Sequence, residues 1–303
     1  MSLVKAKEAK APRNRANRLD KVTLFDVLNT LFMLVLLFIT LYPVWYVLCI
    51  SLSSTAAINS GTISFYPKEI NFDAYIEILK TPKIPRAYWN SILYTSVGTI
   101  CCIAMTVLYA YPLSRKSFMF RKPLMIMVVI TMFFSGGMIP TFLLVKGVGL
   151  YNSMWSLIIP NLIWTFDLII MKNFFEGIPH EIYEAAIVDG ANEFTILLKI
   201  FIPLAKPAIA SITLFFAMGQ WNSYLNPSIY LSDTAKMPLQ VVLKEMLLDA
   251  TAQNSEMVEQ AAKFTPEALK NATVFISVLP FVVVYPFLQK YFVKGLTIGA
   301  VKG

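Results

Sequence analysis

Residues with the means to do chemistry gather at one place in an otherwise apolar chain, the stretch from Ile178 to Pro207, IPHEIYEAAIVDGANEFTILLKIFIPLAKP. Its chemistry is recognition rather than catalysis. The carboxylates of Glu184 and Asp189 offer charge-assisted hydrogen bonds to Arg or Lys side chains of a partner. Ile182, Ala185 and Ala186 stand at i, i+3 and i+4, so a helix would gather them into one small-residue face that another surface can approach closely. His180 is the one histidine of the protein, at a helix start, and reads as a local hydrogen-bonding group.

The elements that must position these groups are written in the same residues. Pro179 suits the first turn of a helix, and Glu181 and Glu184 supply negative charge where a helix N-terminus favours it. Gly190 sits where that helix ends and the chain reverses. Asn192 is a good N-cap for a second helix running to about Ile202, where Pro203 interrupts the hydrogen-bond ladder. The expectation is a helix, a glycine turn and a second helix over 178–203, joined to the next apolar run through Pro203 and Pro207.

Apolar, membrane-length sequence flanks the hairpin on both sides. Of 303 residues, 57% are hydrophobic and only 15% charged, and the mean hydropathy is +0.62, outside the range of soluble globular chains. Apolar runs long enough to cross a bilayer lie at about 24–52, 88–112, 122–146, 153–173, 204–230 and 272–292, which predicts an all-α, polytopic protein with six transmembrane helices. The first run is too long for the apolar region of a signal peptide and reads as a retained anchor. With six spans both termini share one side. Seventeen of the 26 Lys and Arg fall in the 1–21 tail, the 113–122 loop, the 172–206 segment and the C-terminal tail, which places both termini and the 178–203 hairpin in the cytoplasm. The net charge of +8 is thus accounted for by topology, and nucleic acid is excluded as a partner.

Cys49, Cys101 and Cys102 lie in apolar runs and read as small buried hydrophobes; with one histidine they build neither a disulfide framework nor a metal site. On the outer side, Asn71 can cap a helix over 71–80 with Phe72, Tyr75, Ile76 and Leu79 on one face. Pro238 opens a second amphipathic helix over 237–248, carrying Leu239, Val242, Leu243 and Met246, and both are expected to lie at the outer surface. The polar 249–267 stretch is expected to be a loop able to meet an external partner. Inside the spans, Asp167 has two open readings: it lines a solute path or pairs with Lys172, or else it caps or snorkels near the cytoplasmic end of its span. Trp164, Trp221, Asn222, Tyr224 and Asn226 combine aromatic faces with amides, as carbohydrate recognition requires, although Trp and Tyr near span ends also serve as interface anchors.

Glu184-Ala185-Ala186, Gly190, and then Ile200, Ile202 and Pro203 resemble the E-A-A-x-x-x-G-(x)9-I-x-L-P signature of permease subunits of binding-protein-dependent ABC importers, with Ile202 in place of the leucine. The likeness extends over nearly the whole chain. Ala110, Tyr111, Leu113, Ser114 and Arg115 resemble the AYALSR ending of the second span in carbohydrate permeases, with Pro112 as a departure. Trp221, Asn222, Tyr224, Leu225 and Pro227 resemble a stretch of the fifth span, and the tail from Gly295 to Gly303 resembles that of the maltose-type second permease. Residues 135–155, SGGMIPTFLLVKGVGLYNSMW, resemble a subgroup handling larger oligosaccharides or polysaccharides, of alginate type. The resemblance implies a type I ABC importer permease in a bacterial cytoplasmic membrane. It implies a second permease, two ATPase subunits and an external solute-binding protein as partners, with the hairpin (Glu184, Ala185, Ala186, Asp189, Gly190, Ile200, Pro203) seated in an ATPase groove. The tail residues Gly295, Thr297, Gly299 and Lys302 would reach toward the nucleotide-binding dimer.

No G-x-x-x-x-G-K-[ST] phosphate loop is present, so ATP and Mg are expected on the partner ATPase and no cofactor on this chain. A membrane-embedded enzyme would need convergent acid, base or metal groups, and the spans offer one deep carboxylate, Asp167, and no histidine. An ion-coupled secondary transporter would show more intramembrane ionisable residues or matched helix breaks.

Overall fold

The computed structural model describes residues 23–80, 82–252, 265, 267–280, 282, 283 and 286. The expectations for the 1–21 tail, most of the 249–267 loop, the end of the sixth span and Gly295, Thr297, Gly299 and Lys302 lie outside these residues. The chain divides into two compact units, 1–46 and 47–303. In the first, Thr23 and Asp26 form a reciprocal capping pair at the start of α1 (Leu24–Ser51): the Thr23 N–H and hydroxyl donate to Asp26 Oδ2 at 2.8 and 2.7 Å, and the Asp26 N–H returns to Thr23 Oγ1 at 3.3 Å.

The regular elements of the second unit are all helices among its described residues, with α2 (Thr55–Asn59), α3 (Asp73–Lys80), α4 (Lys83–Ser114), α5 (Arg121–Phe133), α6 (Met138–Gly147), α7 (Trp155–Ile158), α8 (Thr165–Glu176), α9 (His180–Val188), α10 (Glu193–Ile196), α11 (Ile202–Leu204), α12 (Lys206–Trp221), α13 (Leu225–Tyr230) and α14 (Leu239–Ala252). A last helix, α15, covers 267–280. At 32 residues, α4 is the longest, about 48 Å at 1.5 Å per residue. It packs against both α8 and α12.

The six expected spans are represented in part among the described residues, and several of them are bent. Among the described residues, only α1 and α4 are long and apolar enough to cross a membrane as single helices, and the number rises to five if each of three bent pairs is one span. The third span breaks by 119° between α5 and α6, because Phe134 leaves the helix in extended conformation (φ −116°, ψ 106°) before Ser135-Gly136-Gly137. The fourth bends by 51° after a 3-10 turn at Ile159–Asn161 that carries Pro160. The fifth bends by 80° between α11 and α12, at Ala205, flanked by Pro203 and Pro207. Each proline withholds an N–H from a helix ladder, which lets a membrane helix turn where neighbours cover the freed carbonyl.

The two outer helices differ in how far their apolar faces are buried. α14 buries Leu239, Val242 and Leu243 in a core shared with Cys49, Ile58, Ile78, Ala87 and Trp221, so its apolar face is internal packing. α3 packs through Ala74 and Ile78 and leaves Phe72, Ile76 and Leu79 exposed. Asn71 makes an Asx turn ahead of α3, its Oδ1 accepting from the Asp73 N–H at 2.7 Å.

Candidate functional site

The hairpin is built as a closed unit on its own core. α8 ends at Gly177, whose N–H bonds the carbonyls of Asn173 and Phe174, and Pro179, extended at ψ 134°, turns the chain into α9. Pro179 thus precedes the first helical residue, His180, instead of occupying it. α9 closes in a Schellman motif: the Ala191 N–H donates to the Ala186 carbonyl at 3.0 Å and the Gly190 N–H to the Ile187 carbonyl at 2.9 Å. Gly190 holds φ +78°, the left-handed region this motif requires. Asn192 then caps the next helix, its Oδ1 accepting from the Thr195 N–H at 2.8 Å.

The return arm does not stop at Pro203. Leu197–Phe201 widen into a π turn ahead of the proline, whose missing N–H frees the carbonyl one turn earlier, and the helix continues to Leu204. The joint to α12 is at Ala205, between Pro203 and Pro207, with Pro203 exposed beside it. Ile200 and Ile202 are half-buried against the core formed by Phe175, Ile196, Leu197, Phe201 and Ile212.

Rotation by 100° per residue separates the two alanines of the expected docking face. Ala186 is buried in that core, whereas Ala185 is exposed. The exposed face carries Glu181, Ile182, Glu184, Ala185 and Val188, with Val188 87% exposed, and Asp189 is exposed just beyond it. The small-residue face is corrected accordingly: Ala186 seats the helix on its own protein, and Ala185 is the alanine available to a partner. Glu184 pairs with His180 across one turn, Oε1 to Nδ1 at 3.0 Å, and both side chains remain well exposed.

A cluster that sequence reasoning missed fastens the hairpin to α4. Arg115, the first residue past α4, places its guanidinium carbon 3.8 Å from the ring centre of Tyr183, 4.3 Å from Phe201 and 4.9 Å from Tyr111. Glu193 accepts hydrogen bonds from the hydroxyls of Tyr111 at 2.5 Å and Tyr183 at 2.6 Å, and Arg115 Nη2 donates to the Tyr111 hydroxyl at 3.3 Å. Burial raises the Glu193 carboxyl, but the two tyrosine hydroxyls and the Arg115 charge outweigh it and hold the group below its ordinary value. The same bond from the Tyr183 hydroxyl to Glu193, with burial, raises that tyrosine. Tyr111 and Arg115 were legible only as part of the AYPLSR run. Arg121, which bonds the Leu113 carbonyl at 3.0 Å, pairs with Glu176, and Lys172 pairs with Glu176 at 2.9 Å.

The expected solute-path residues stand in different surroundings in this single chain. Lys172 is engaged by Glu176, so Asp167 has no pairing there; it lies in the first turn of α8, far from the Glu176 end, and is 1% exposed. Trp164 lies against Phe216 with ring centres 4.9 Å apart, and a methyl group at Gly219 would overlap its indole. Trp221 is buried, its indole N–H donating to the Ser277 carbonyl at 3.1 Å and its ring meeting Tyr88 edge-on. Burial removes Asp167 and Trp221 from any open path in this conformation. Asn222 and Tyr224 are exposed: Asn222 bonds the Met218 carbonyl at 3.0 Å, and Tyr224 lies 5.3 Å from Lys244 Nζ. Asn226 is half-buried. Among the described residues, no group of three or more His, Cys, Asp or Glu could hold a metal ion.

Residues 103–298 match the family described as binding-protein-dependent transport system inner membrane component. The chain is 41% identical over 285 residues to the polygalacturonan/rhamnogalacturonan transport system permease protein YtcP of Bacillus subtilis (strain 168), which spans 93% of this chain and 100% of that protein. It is also 41% identical over 281 residues to protein LplC of the same organism, at 92% and 95% coverage. Among solved structures, a chain of a bacterial ABC transporter involved in the import of the acidic polysaccharide alginate matches with a TM-score of 0.83 and 34% identity, over 92% of this chain and 99% of that one.

Proposed function

The chain belongs to the family of inner membrane components of binding-protein-dependent transport systems, and from that premise we propose that it is one permease subunit of an ATP-driven importer for a polysaccharide-derived oligosaccharide. Two of the similar proteins are described by a polysaccharide, polygalacturonan/rhamnogalacturonan in one case and alginate in the other. A second permease would complete the path, and an external solute-binding protein would deliver the solute. Two ATPase subunits would bind ATP and Mg. The chain itself carries no phosphate-binding loop and works as a non-catalytic subunit. With both termini in the cytoplasm, as the distribution of Lys and Arg supports, α9 faces the ATPase.

The observation that carries this reading is the two-sided character of α9. One side is anchored by Ala186, while the other leaves Ile182, Ala185 and Val188 exposed between Glu181, Glu184 and Asp189. An apolar strip with a carboxylate rim fits a partner groove edged by basic side chains. ATP-driven closure of the ATPase dimer would displace α9, and the transmembrane helices would alternate between outward and inward openings.

The test is purification from the native membrane followed by reconstitution with the solute-binding protein. Co-purification of a second permease and an ATPase, with ATP-dependent uptake of oligogalacturonide or alginate oligosaccharide, is the expected result. A solitary chain, or uptake driven by an ion gradient without ATP, would overturn it.

A further inference from the structure

α4 is fastened at both ends, to different parts of the molecule. At one end Arg115 sits among three rings drawn from three segments: Tyr111 of α4, Tyr183 of α9 and Phe201 of the return arm. Both oxygens of Glu193, at the start of that return arm, are bonded to tyrosines on the other two segments. At the far end, Asn90 Nδ2 donates to the carbonyls of Ala235 and Met237 at 2.9 and 3.1 Å. The Tyr94 hydroxyl donates to the Lys236 carbonyl at 2.9 Å, and Ser91 Oγ accepts from the Leu239 N–H at 2.8 Å. These bonds tie α4 to the segment that opens α14. Between the two attachments α4 runs as one continuous helix, with Pro112 interrupting its ladder only in the last turn before Arg115, whereas the 80° bend at Ala205 lies between the hairpin and α12.

We propose that α4 is the rigid rod that transmits hairpin displacement across the membrane to the 235–239 segment. Arg115 acts as its positioning residue at the hairpin end, and Asn90 and Tyr94 grip the outer end. The 80° bend at Ala205 turns the axis of α12 away from that of the return arm. A displacement of α9 enters the bundle through the polar and aromatic grip on α4, while the apolar core shared with Phe175, Ala208 and Ile212 carries α8 and α12 along with it. A guanidinium suits the Arg115 position because its plane can lie against several rings at once while remaining charged; an ammonium offers no such plane. The proposal rests on the importer reading, since it assigns the route by which α9 acts.

Two measurements on the complete reconstituted complex test it. The first uses spin labels at Lys116→Cys and Ile187→Cys in a chain carrying Cys101→Ala, and reads their separation by pulsed electron resonance without nucleotide and with ATP trapped. A rigid joint predicts one narrow distance in both states. A change of several ångström in the otherwise unaltered chain would overturn the proposal, whatever any variant does. The second compares Arg115→Lys and Asn90→Ala with the native chain. Both are expected to assemble and to keep basal ATP hydrolysis, with roughly tenfold less stimulation by the loaded binding protein, and a double variant no worse than either single one. Native stimulation in Arg115→Lys, or independent multiplying losses in the double variant, would count against a single rod. If the native complex imports nothing, the proposed function falls, while the distance measurement still reports on the rod.

Discussion

The guanidinium of Arg115, at the end of α4, lies 3.8 Å from the ring centre of Tyr183 in the middle of α9. That contact joins a membrane-length helix to the exposed hairpin, and Glu193 consolidates it by accepting from both Tyr183 and Tyr111. The hairpin is therefore an extension of the helical bundle, with its position set by aromatic and charged groups behind it and the outer face of α9 left exposed.

The Glu193 bonds give a pH dependence of defined sign. The folded carboxyl is held below its ordinary value of 4.5, so its contribution is fully present above that value and is lost as pH falls through the folded one. Glu193→Gln is expected to lower thermal stability by about 1 kcal/mol, a figure that allows for solvent reaching the carboxylate. That deficit should stay constant from about pH 6 to 8 and close in acid. Melting curves of the complex across pH check it.

Gly190 is constrained by its backbone and not by space, since its φ is +78° and nothing lies within 4 Å of where a Cβ would be. Gly190→Val is expected to cost about 1–2 kcal/mol and loosen the turn, while Gly190→Asn is nearly neutral because asparagine tolerates the left-handed region. Thermal melts of the two variants side by side separate strain from crowding.

The contact between α8 and α12 predicts the opposite case. A methyl at Gly219 would overlap the Trp164 indole, which already lies against Phe216. Gly219→Ala is expected to destabilise by about 1–3 kcal/mol, and Trp164→Phe in the same chain to recover much of that loss. A double-mutant cycle by thermal denaturation reads the compensation.

Trp221 is expected to behave as a packing residue. Trp221→Phe removes the N–H that the Ser277 carbonyl accepts, at about 1–3 kcal/mol, and should leave the KM for oligosaccharide uptake unchanged. Uptake kinetics in vesicles check that separation.

Much of this was legible in the sequence because local chemistry governs it. Pro179, Gly190 and Asn192 mark their turns through backbone rules that need no tertiary knowledge, and the helix–turn–helix forms where they place it. The spans were harder. Hydropathy reports apolar length and is blind to direction, so the 119° break after Phe134 was hidden inside a continuous apolar run, whereas the joint at Ala205 was marked by Pro203 and Pro207. Ala185 and Ala186 are identical to a pattern, and only packing decides that one faces the core. The Arg115 cluster joins residues 111, 115, 183, 193 and 201, a long-range meeting that no local spacing announces. The aromatic residues singled out for sugar contact, Trp164 and Trp221, qualify by type alone, and their rings are spent on internal packing.

Whether the exposed face of α9 holds the ATPase decides the coupling role most directly. Ala185→Trp adds bulk at an exposed alanine and should leave the chain folded in the membrane, since its neighbour Ala186 carries the inward packing. The measurement is the amount of ATPase that co-purifies with the variant permease pair relative to the unaltered one. Loss of at least nine-tenths of it is expected, on the order of 1.4 kcal/mol or more of binding. Full retention of the ATPase, with unchanged stimulation by the loaded binding protein, would contradict that role.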